Sequence, residues 1–275
     1  MNPISVNELT ESVNSNLPRD IKSTIAKNIL AEEKDSDVAK NIFSELINDL
    51  SSKTQREVVN ATGTVLHTNL GRSPNNISFS GSYTNIEYDL KTLSRGKRNE
   101  YLSVLMNNLI GSKDIAFVNN NASSLFLSLK AISKSHNIQN VIISRGEIIE
   151  IGGSYRLPEI INETGLNLVE IGTTNKTKLS DYRKALEKYP NSLILKVHRS
   201  NFSINGFTED VSIEELAELK NKFDVFLFHD LGSGLVIDKK FLEINNISIF
   251  KDEPFVQDSL SDGANLVMFS GDKLF

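Results

Sequence analysis

The stretch ANLVMFSGDKLF, residues 264–275, sets a short apolar run, Leu266 to Phe269, against a small polar turn that carries one lysine, Lys273. A nearly all-apolar run of that length, stopped by Ser and Gly, reads as a buried strand delivering a turn at its carboxyl end. The same grammar recurs upstream. Strand-like runs stand at IAFV (115–118), VII (141–143), LNLVEI (166–171), SLILKV (192–197) and DVFLF (224–228). Between them the apolar spacing turns helical: Leu102, Leu105 and Leu109, then Leu125, Leu129 and Ile132, then segments near 157–164, 180–189 and 212–222. β-type runs alternating with amphipathic helices predict an α/β domain whose mostly parallel sheet is covered on both faces.

Before residue 57 the pattern differs. Ile21, Ile25 and Ile29, then Val38, Ile42 and Leu46, recur at spacing four, with Phe43, Ile47 and Leu50 widening the second stripe. This predicts a small helical N-terminal domain over 1–56 and a larger domain over 57–275. Glycines and short apolar runs begin after LSSKTQREVVNATG, residues 50–63.

Of the 275 residues, 39% are apolar and 24% charged, the balance of an ordinary globular chain. There is no cysteine, which excludes disulfides, thiolate metal sites and cysteine nucleophiles. The four histidines, His67, His136, His198 and His229, have no metal-ligand spacing, so no metal is expected. No run reaches the roughly 18 apolar residues of a membrane span, and the first twenty residues lack the basic start and apolar core of a secretory signal. A cytoplasmic protein without a membrane partner is expected. A net charge of −5 excludes a chain that is basic throughout.

In parallel sheets ligands meet the carboxyl ends of strands. After IAFV comes NNNASS (119–124), whose amide and small side chains open a helix and expose its unpaired N–H groups to a phosphate, or simply cap it. DVFLF is followed by HDLGSG (229–234), which sets Asp230 at the strand mouth as a ligand carboxylate or a turn cap. Ser270 and Lys273 follow the last strand, the lysine an imine former or a solvated charge. Taken together, an anion-binding helix start (Asn120, Asn121, Ala122, with Ser270), a carboxylate to keep a pyridine nitrogen protonated (Asp230) and an amine for a Schiff base (Lys273) are what pyridoxal 5'-phosphate requires. No GxGxxG follows the first strand, which argues against a dinucleotide-binding oxidoreductase.

Seven segments, NATGTVLHTNLGR (60–72), VNNNASS (118–124), SRGEIIEIGGSYRLPEI (144–160), EIGTTNKT (170–177), LKVHRSNFSINGFT (195–208), DLGSG (230–234) and FSGDKL (269–274), resemble in order those of the bacterial selenocysteine synthases, the L-seryl-tRNA(Sec) selenium transferases. Tyr88, Asp89 and SRGKR (94–98) are similar to a further family segment. The resemblance implies a fold type I pyridoxal phosphate enzyme with a seven-stranded sheet, incomplete here. It also implies a ring-shaped homo-oligomer and an N-terminal domain that contacts tRNA. Carried over by position, Lys273 is the Schiff-base lysine and the catalytic base, Asp230 the pyridine partner, and Asn120 and Asn121 the phosphate turn. Arg72 takes the anionic selenium donor, or else forms a surface salt bridge. The implied reaction converts seryl-tRNA(Sec) to selenocysteinyl-tRNA(Sec) with selenophosphate, through an aminoacrylyl-tRNA intermediate.

The family resemblance leaves His67, His198, Thr173, Thr174, Arg95 and Arg98 without assigned catalytic roles, and Arg199 stands where the family has a small residue. Family members continue past the lysine with a strand that lies antiparallel inside the sheet, so the resemblance leads us to expect a truncated product that folds poorly and turns over no substrate. Two other functions fit the same residues: a related lyase acting on a small amino acid or amino-sugar acid, and a non-catalytic truncated chain.

Overall fold

The structure, a computed structural model, describes residues 3–52, 57–74, 78, 81–153, 155–237, 239–248, 250 and 252–275. Residues 53–56, at the expected domain boundary, and Ser154, within one of the family-like segments, lie outside the described residues. The chain forms two compact units, Met1–Gly63 and Thr64–Phe275.

The first unit holds three helices, α1 (Val6–Glu11), α2 (Arg19–Glu32) and α3 (Ser36–Ser51). Ser5 and Glu8 form a capping box at α1, and the Asp35 carboxylate accepts the amides of Asp37 and Val38 at α3, so both helix starts are satisfied by side chains. The core of the unit is Leu9, Ala26, Phe43 and Ile47. The buried face of α3 therefore follows Phe43 and Ile47 of the widening stripe, while Leu50, its last member, stays 44% exposed. Ala39, Phe43 and Ile47 are fully buried, whereas Val38, Ile42 and Leu46 stay 42%, 43% and 39% exposed. The apolar arc of α3 is wider than the surface that two short helices can cover.

In the second unit a small antiparallel pair, β1 (Tyr88–Asp89) with β2 (Ser94–Arg95), precedes α4 (Glu100–Ile110) and α5 (Asn121–His136). Then follow β3 (Asn140–Ser144), the pair β4 (Glu150–Ile151) and β5 (Tyr155–Arg156), α6 (Leu157–Glu163), β6 (Asn167–Ile171) and α7 (Leu179–Lys188). The unit ends with β7 (Ser192–Val197), α8 (Ile213–Phe223), β8 (Phe226–Gly232), α9 (Lys239–Ile244), α10 (Val256–Ser261) and β9 (Leu266–Phe269).

The main sheet has five strands, all parallel, in the order β6-β3-β7-β8-β9. Alternate side chains feed two cores. Val141, Ile143, Leu193, Leu195, Phe228 and Met268 face α5 and α6, while Ile142, Ile194 and Leu227 face α7 and α8. The α/β expectation is met, with helices on both faces of the sheet.

IAFV does not become a strand. Residues 115–118 have no ladder, and Phe117 and Val118 are 43% and 40% exposed. A cavity of about 1200 Å³ is lined by this segment and by β9, so the apolar run has no neighbour within hydrogen-bonding reach to pair with. The short helices α9 and α10 and the two small strand pairs escape the sequence reading, because two to six residues are too few to show a period.

Candidate functional site

The carboxyl ends of β8 and β9 and the start of α5 meet at one place. α5 begins at Asn121, and the Asn120 side chain accepts the Ser123 amide at 2.8 Å as its N-cap. The capping alternative is thus real. It occupies the third amide of the helix and leaves those of Asn121 and Ala122 as the turn's outward donors. One residue into the helix, Asn121 Nδ2 donates to Asp230 Oδ1 at 3.0 Å.

Asp230 sits at the end of β8, 1% exposed. Its Oδ1 also accepts the Gly232 amide at 3.0 Å, and among the described residues no cationic side chain forms an ion pair with it. Burial pushes its carboxyl up to about 6, against the hydrogen bonds from Asn121 and Gly232. Lys273, in the turn after β9, donates from Nζ to the Gly232 carbonyl at 3.3 Å. Burial, then the charge of Arg72, holds the Lys273 ammonium below its ordinary value. Both groups are therefore shifted towards their neutral forms, because burial outweighs the hydrogen bonds and opposite charges that favour the ionised ones.

The lysine turn is pinned from the other side by residues 72–73. Arg72 forms an ion pair with Asp272, the Ser73 amide donates to the Asp272 carbonyl at 3.2 Å, and the Ser73 hydroxyl donates to the Lys273 carbonyl at 2.5 Å. Arg72 makes the salt bridge that was one of its two readings, and its partner adjoins Lys273 in sequence. The Ser270 amide donates to the Gly232 carbonyl at 3.1 Å, and its hydroxyl donates to Asp272 Oδ1 at 2.8 Å rather than to the helix start.

The remaining conspicuous residues separate by location. His67 accepts the Asn69 amide through Nδ1 at 3.2 Å and caps a short 3-10 turn. Arg95 and Arg98 both pair with Glu87, at 3.6 and 2.8 Å, with their own side chains largely in solvent. Thr173 closes a turn onto Lys176. Arg199 reaches Asp210 at 3.1 Å, and Asp210, itself exposed, links it to a buried Lys196–Glu147 pair that sequence reading did not find. Lys196 Nζ donates to Glu147 Oε1 at 2.5 Å and to Asp210 Oδ1 at 2.6 Å, and Glu147 Oε2 accepts the Val197 amide at 3.0 Å. β3 and β7 pair only as far as Ile142 and Ile194, and the Glu147 carboxylate takes up the ladder donor left open where the two strands part. No spacing in the sequence links Glu147, Lys196 and Asp210. Only the sheet brings them together.

Among the described residues no group of three or more His, Asp or Glu side chains could hold a metal ion, and no helix is long and apolar enough to cross a membrane.

The family model for L-seryl-tRNA selenium transferase matches residues 58–275. Curated proteins named L-seryl-tRNA(Sec) selenium transferase are similar over most of the chain. The one from Campylobacter fetus subsp. fetus is 39% identical over 93% of this chain and 58% of its own length. That from Aliarcobacter butzleri is 40% identical over 94% of this chain and 59% of its own length, and that from Aquifex aeolicus 43% identical over 83% and 50%. The chain spans about half the length of the curated relatives it matches. Among solved structures, D-glucosaminate-6-phosphate ammonia-lyase is 16% identical with a TM-score of 0.49, over 64% of this chain and 44% of that one.

Proposed function

The chain belongs to the L-seryl-tRNA selenium transferase family, and from that premise we propose that it carries the cofactor site of an enzyme making selenocysteinyl-tRNA(Sec) from seryl-tRNA(Sec), with selenophosphate as the selenium donor. The observation that carries this reading is the junction of Asn121, Asp230 and Gly232 beside Lys273. Three features gathered at one place support the reading: a buried carboxyl that forms no ion pair among the described residues, a helix start with outward amides, and a lysine shifted towards its neutral form, where pyridoxal phosphate needs an acid partner, an anion site and an amine.

The residues present fit that cofactor, as they would in a fold type I enzyme. Asp230 would hold the protonated ring nitrogen, which supplies the cation it lacks. The amides of Asn121 and Ala122 would take the phosphate, with Ser270 joining them once its hydroxyl turns from Asp272. Lys273 would bind the carbonyl carbon. When bound, the cofactor stabilises negative charge at the α-carbon of an amino acid, so that a β-substituent can leave and be replaced.

What this chain's own groups do follows from their environment. The downward shift of Lys273 favours its part as the nucleophilic amine and, once released, as a base for the α-proton of the seryl group. The buried Asp230 would hold a protonated ring nitrogen away from water, where the attraction is strongest. Arg72, with its planar donor fork, would bind the oxyanion of selenophosphate in competition with Asp272. The N-terminal helical unit would contact the tRNA, and subunits would assemble into a homo-oligomeric ring.

The test is spectroscopic. Added pyridoxal phosphate should give the visible band of a lysine adduct in the wild-type chain, and Lys273→Ala should abolish it. A band that persists in the variant rejects the assignment.

A further inference from the structure

One acidic side chain of the site belongs to none of the family-like segments. Glu253 lies between α9 and α10, in a stretch held to the loop after β8 by the Val256 amide, which donates to the Leu235 carbonyl at 3.0 Å. Its Oε2 lies 3.3 Å from His198 Nε2 and accepts the Ser233 hydroxyl at 2.7 Å. Both neighbours are part of the site's frame. His198 follows β7 and donates its amide to the Asp230 carbonyl at 2.8 Å. Ser233 is 5% exposed, and its carbonyl accepts the amide of Leu274, next to Lys273, at 3.3 Å.

An ionised carboxylate only accepts, so the ring proton on this side of His198 sits on Nε2. Among the described residues no hydrogen bond reaches Nδ1. Burial pushes the Glu253 carboxyl up, but the hydrogen bonds from His198 and Ser233 and the charges of His198 and Lys273 bring it below its ordinary value. It is therefore a carboxylate at neutral pH, fixed at two points, with its charge felt at Lys273.

We infer that Glu253 is a positioning residue for this site: through Nε2 it fixes the His198 ring, and so makes Nδ1 the atom offered to the group bound between Asp230 and Lys273. The part of this inference that concerns a bound group rests on the cofactor reading; the Glu253–His198 contact does not. A second carboxylate thereby acts on the site without touching the cofactor, by orienting an imidazole as buried carboxylates orient functional histidines elsewhere.

Two measurements test it. In the cofactor-free chain, the carboxyl carbon of Glu253 is followed by NMR against pH and assigned by its loss in Glu253→Gln. Its midpoint should rise in His198→Ala, and an unchanged midpoint overturns the inference whether or not the cofactor binds. In the second, adduct formation with pyridoxal phosphate is titrated in a double-mutant cycle. Glu253→Ala and His198→Ala should each weaken binding about tenfold, and the pair together still about tenfold, because one acts through the other. Glu253→Gln keeps the acceptor and the volume and should recover most of the loss. Losses that multiply to about a hundredfold, or a Glu253→Gln as weak as the alanine, overturn it. If the wild-type chain forms no adduct at all, the cofactor reading fails while the first measurement still decides the contact.

Discussion

Asn121 Nδ2 and Asp230 Oδ1 lie 3.0 Å apart, so the first turn of α5 is tied to the carboxylate at the mouth of β8 across 109 residues of sequence. The Oδ1 of Asn121 is buried and has no hydrogen-bond partner among the described residues. The amide is thus held on one side only. Asn121→Ala removes a donor from a buried carboxylate, so the Asp230 carboxyl, already pushed up to about 6 by burial, should titrate higher still. Carbon-detected NMR titration of the cofactor-free chain measures this. A downward movement would show that the amide is not a net donor to Asp230.

Stability should depend on pH through two buried acids. Burial raises Asp230 from 3.8 to about 6 and Glu147 from 4.5 to about 7, the latter against the pull of Lys196. Between the ordinary and raised values the native state holds protons that the unfolded chain has lost. The contribution of these groups to stability is therefore present below about pH 4 and declines as pH rises through 6 to 7. Asp230→Asn and Glu147→Gln remove the decline. Urea unfolding across that range should show each variant gaining on the wild type with rising pH, and a gain with falling pH would contradict the assignment.

Arg72 should tune Lys273. Its charge, after burial, is what holds the ammonium down. Arg72→Gln removes that repulsion and frees Asp272, whose charge acts in the opposite direction, so Lys273 should titrate higher and capture a carbonyl more slowly near pH 7.5. Reductive ¹³C-methylation followed by NMR reads the titration directly. An unchanged midpoint would mean that burial alone sets it.

Gly234 occupies a position closed to other residues. Its φ is +69°, and a Cβ there would run into the ring of Phe269 at the end of β9. Gly234→Ala should cost about 2 kcal/mol or more from left-handed strain plus overpacking. For a chain of this size that corresponds to a melting point roughly 4–8 °C lower. A melt within 1 °C or so of wild type would place Phe269 elsewhere.

The register of α3 is tested by neighbouring substitutions. Phe43 is fully buried and Ile42 is 43% exposed. Phe43→Ala should destabilise the first unit by about 3–5 kcal/mol, whereas Ile42→Ala should stay within roughly 1 kcal/mol. Equal costs would mean that the exposed stripe is also covered.

Periodicity found the larger elements. Runs of three or four apolar residues, such as those in β3, β7 and β8, become buried strands because burying them on two faces is the arrangement that removes their side chains from water. IAFV has the same composition and no ladder, since a strand also needs a neighbour at hydrogen-bonding distance, which composition does not encode. The outward stripe of α3 makes the same point for helices: two apolar stripes can share one helix, and the surroundings select which is buried.

Asp230 and Lys273 were legible because each follows a readable strand, and Asn120 and Asn121 because they open a readable helix, although the strand expected before them does not form. Family membership followed from the same segments. The sequence by itself also determined the α/β layering, through the change from period 3.6 to unbroken apolar runs. Only the tertiary structure decided that Arg72 pairs beside Lys273, that the buried Glu147–Lys196 pair is linked through Asp210 to Arg199, and that Glu253 lies against His198. Those contacts join residues that have no periodic relation along the chain. Their energies come from burial and from counter-charges, which exist only once the sheet has gathered distant strand ends into one low-dielectric place.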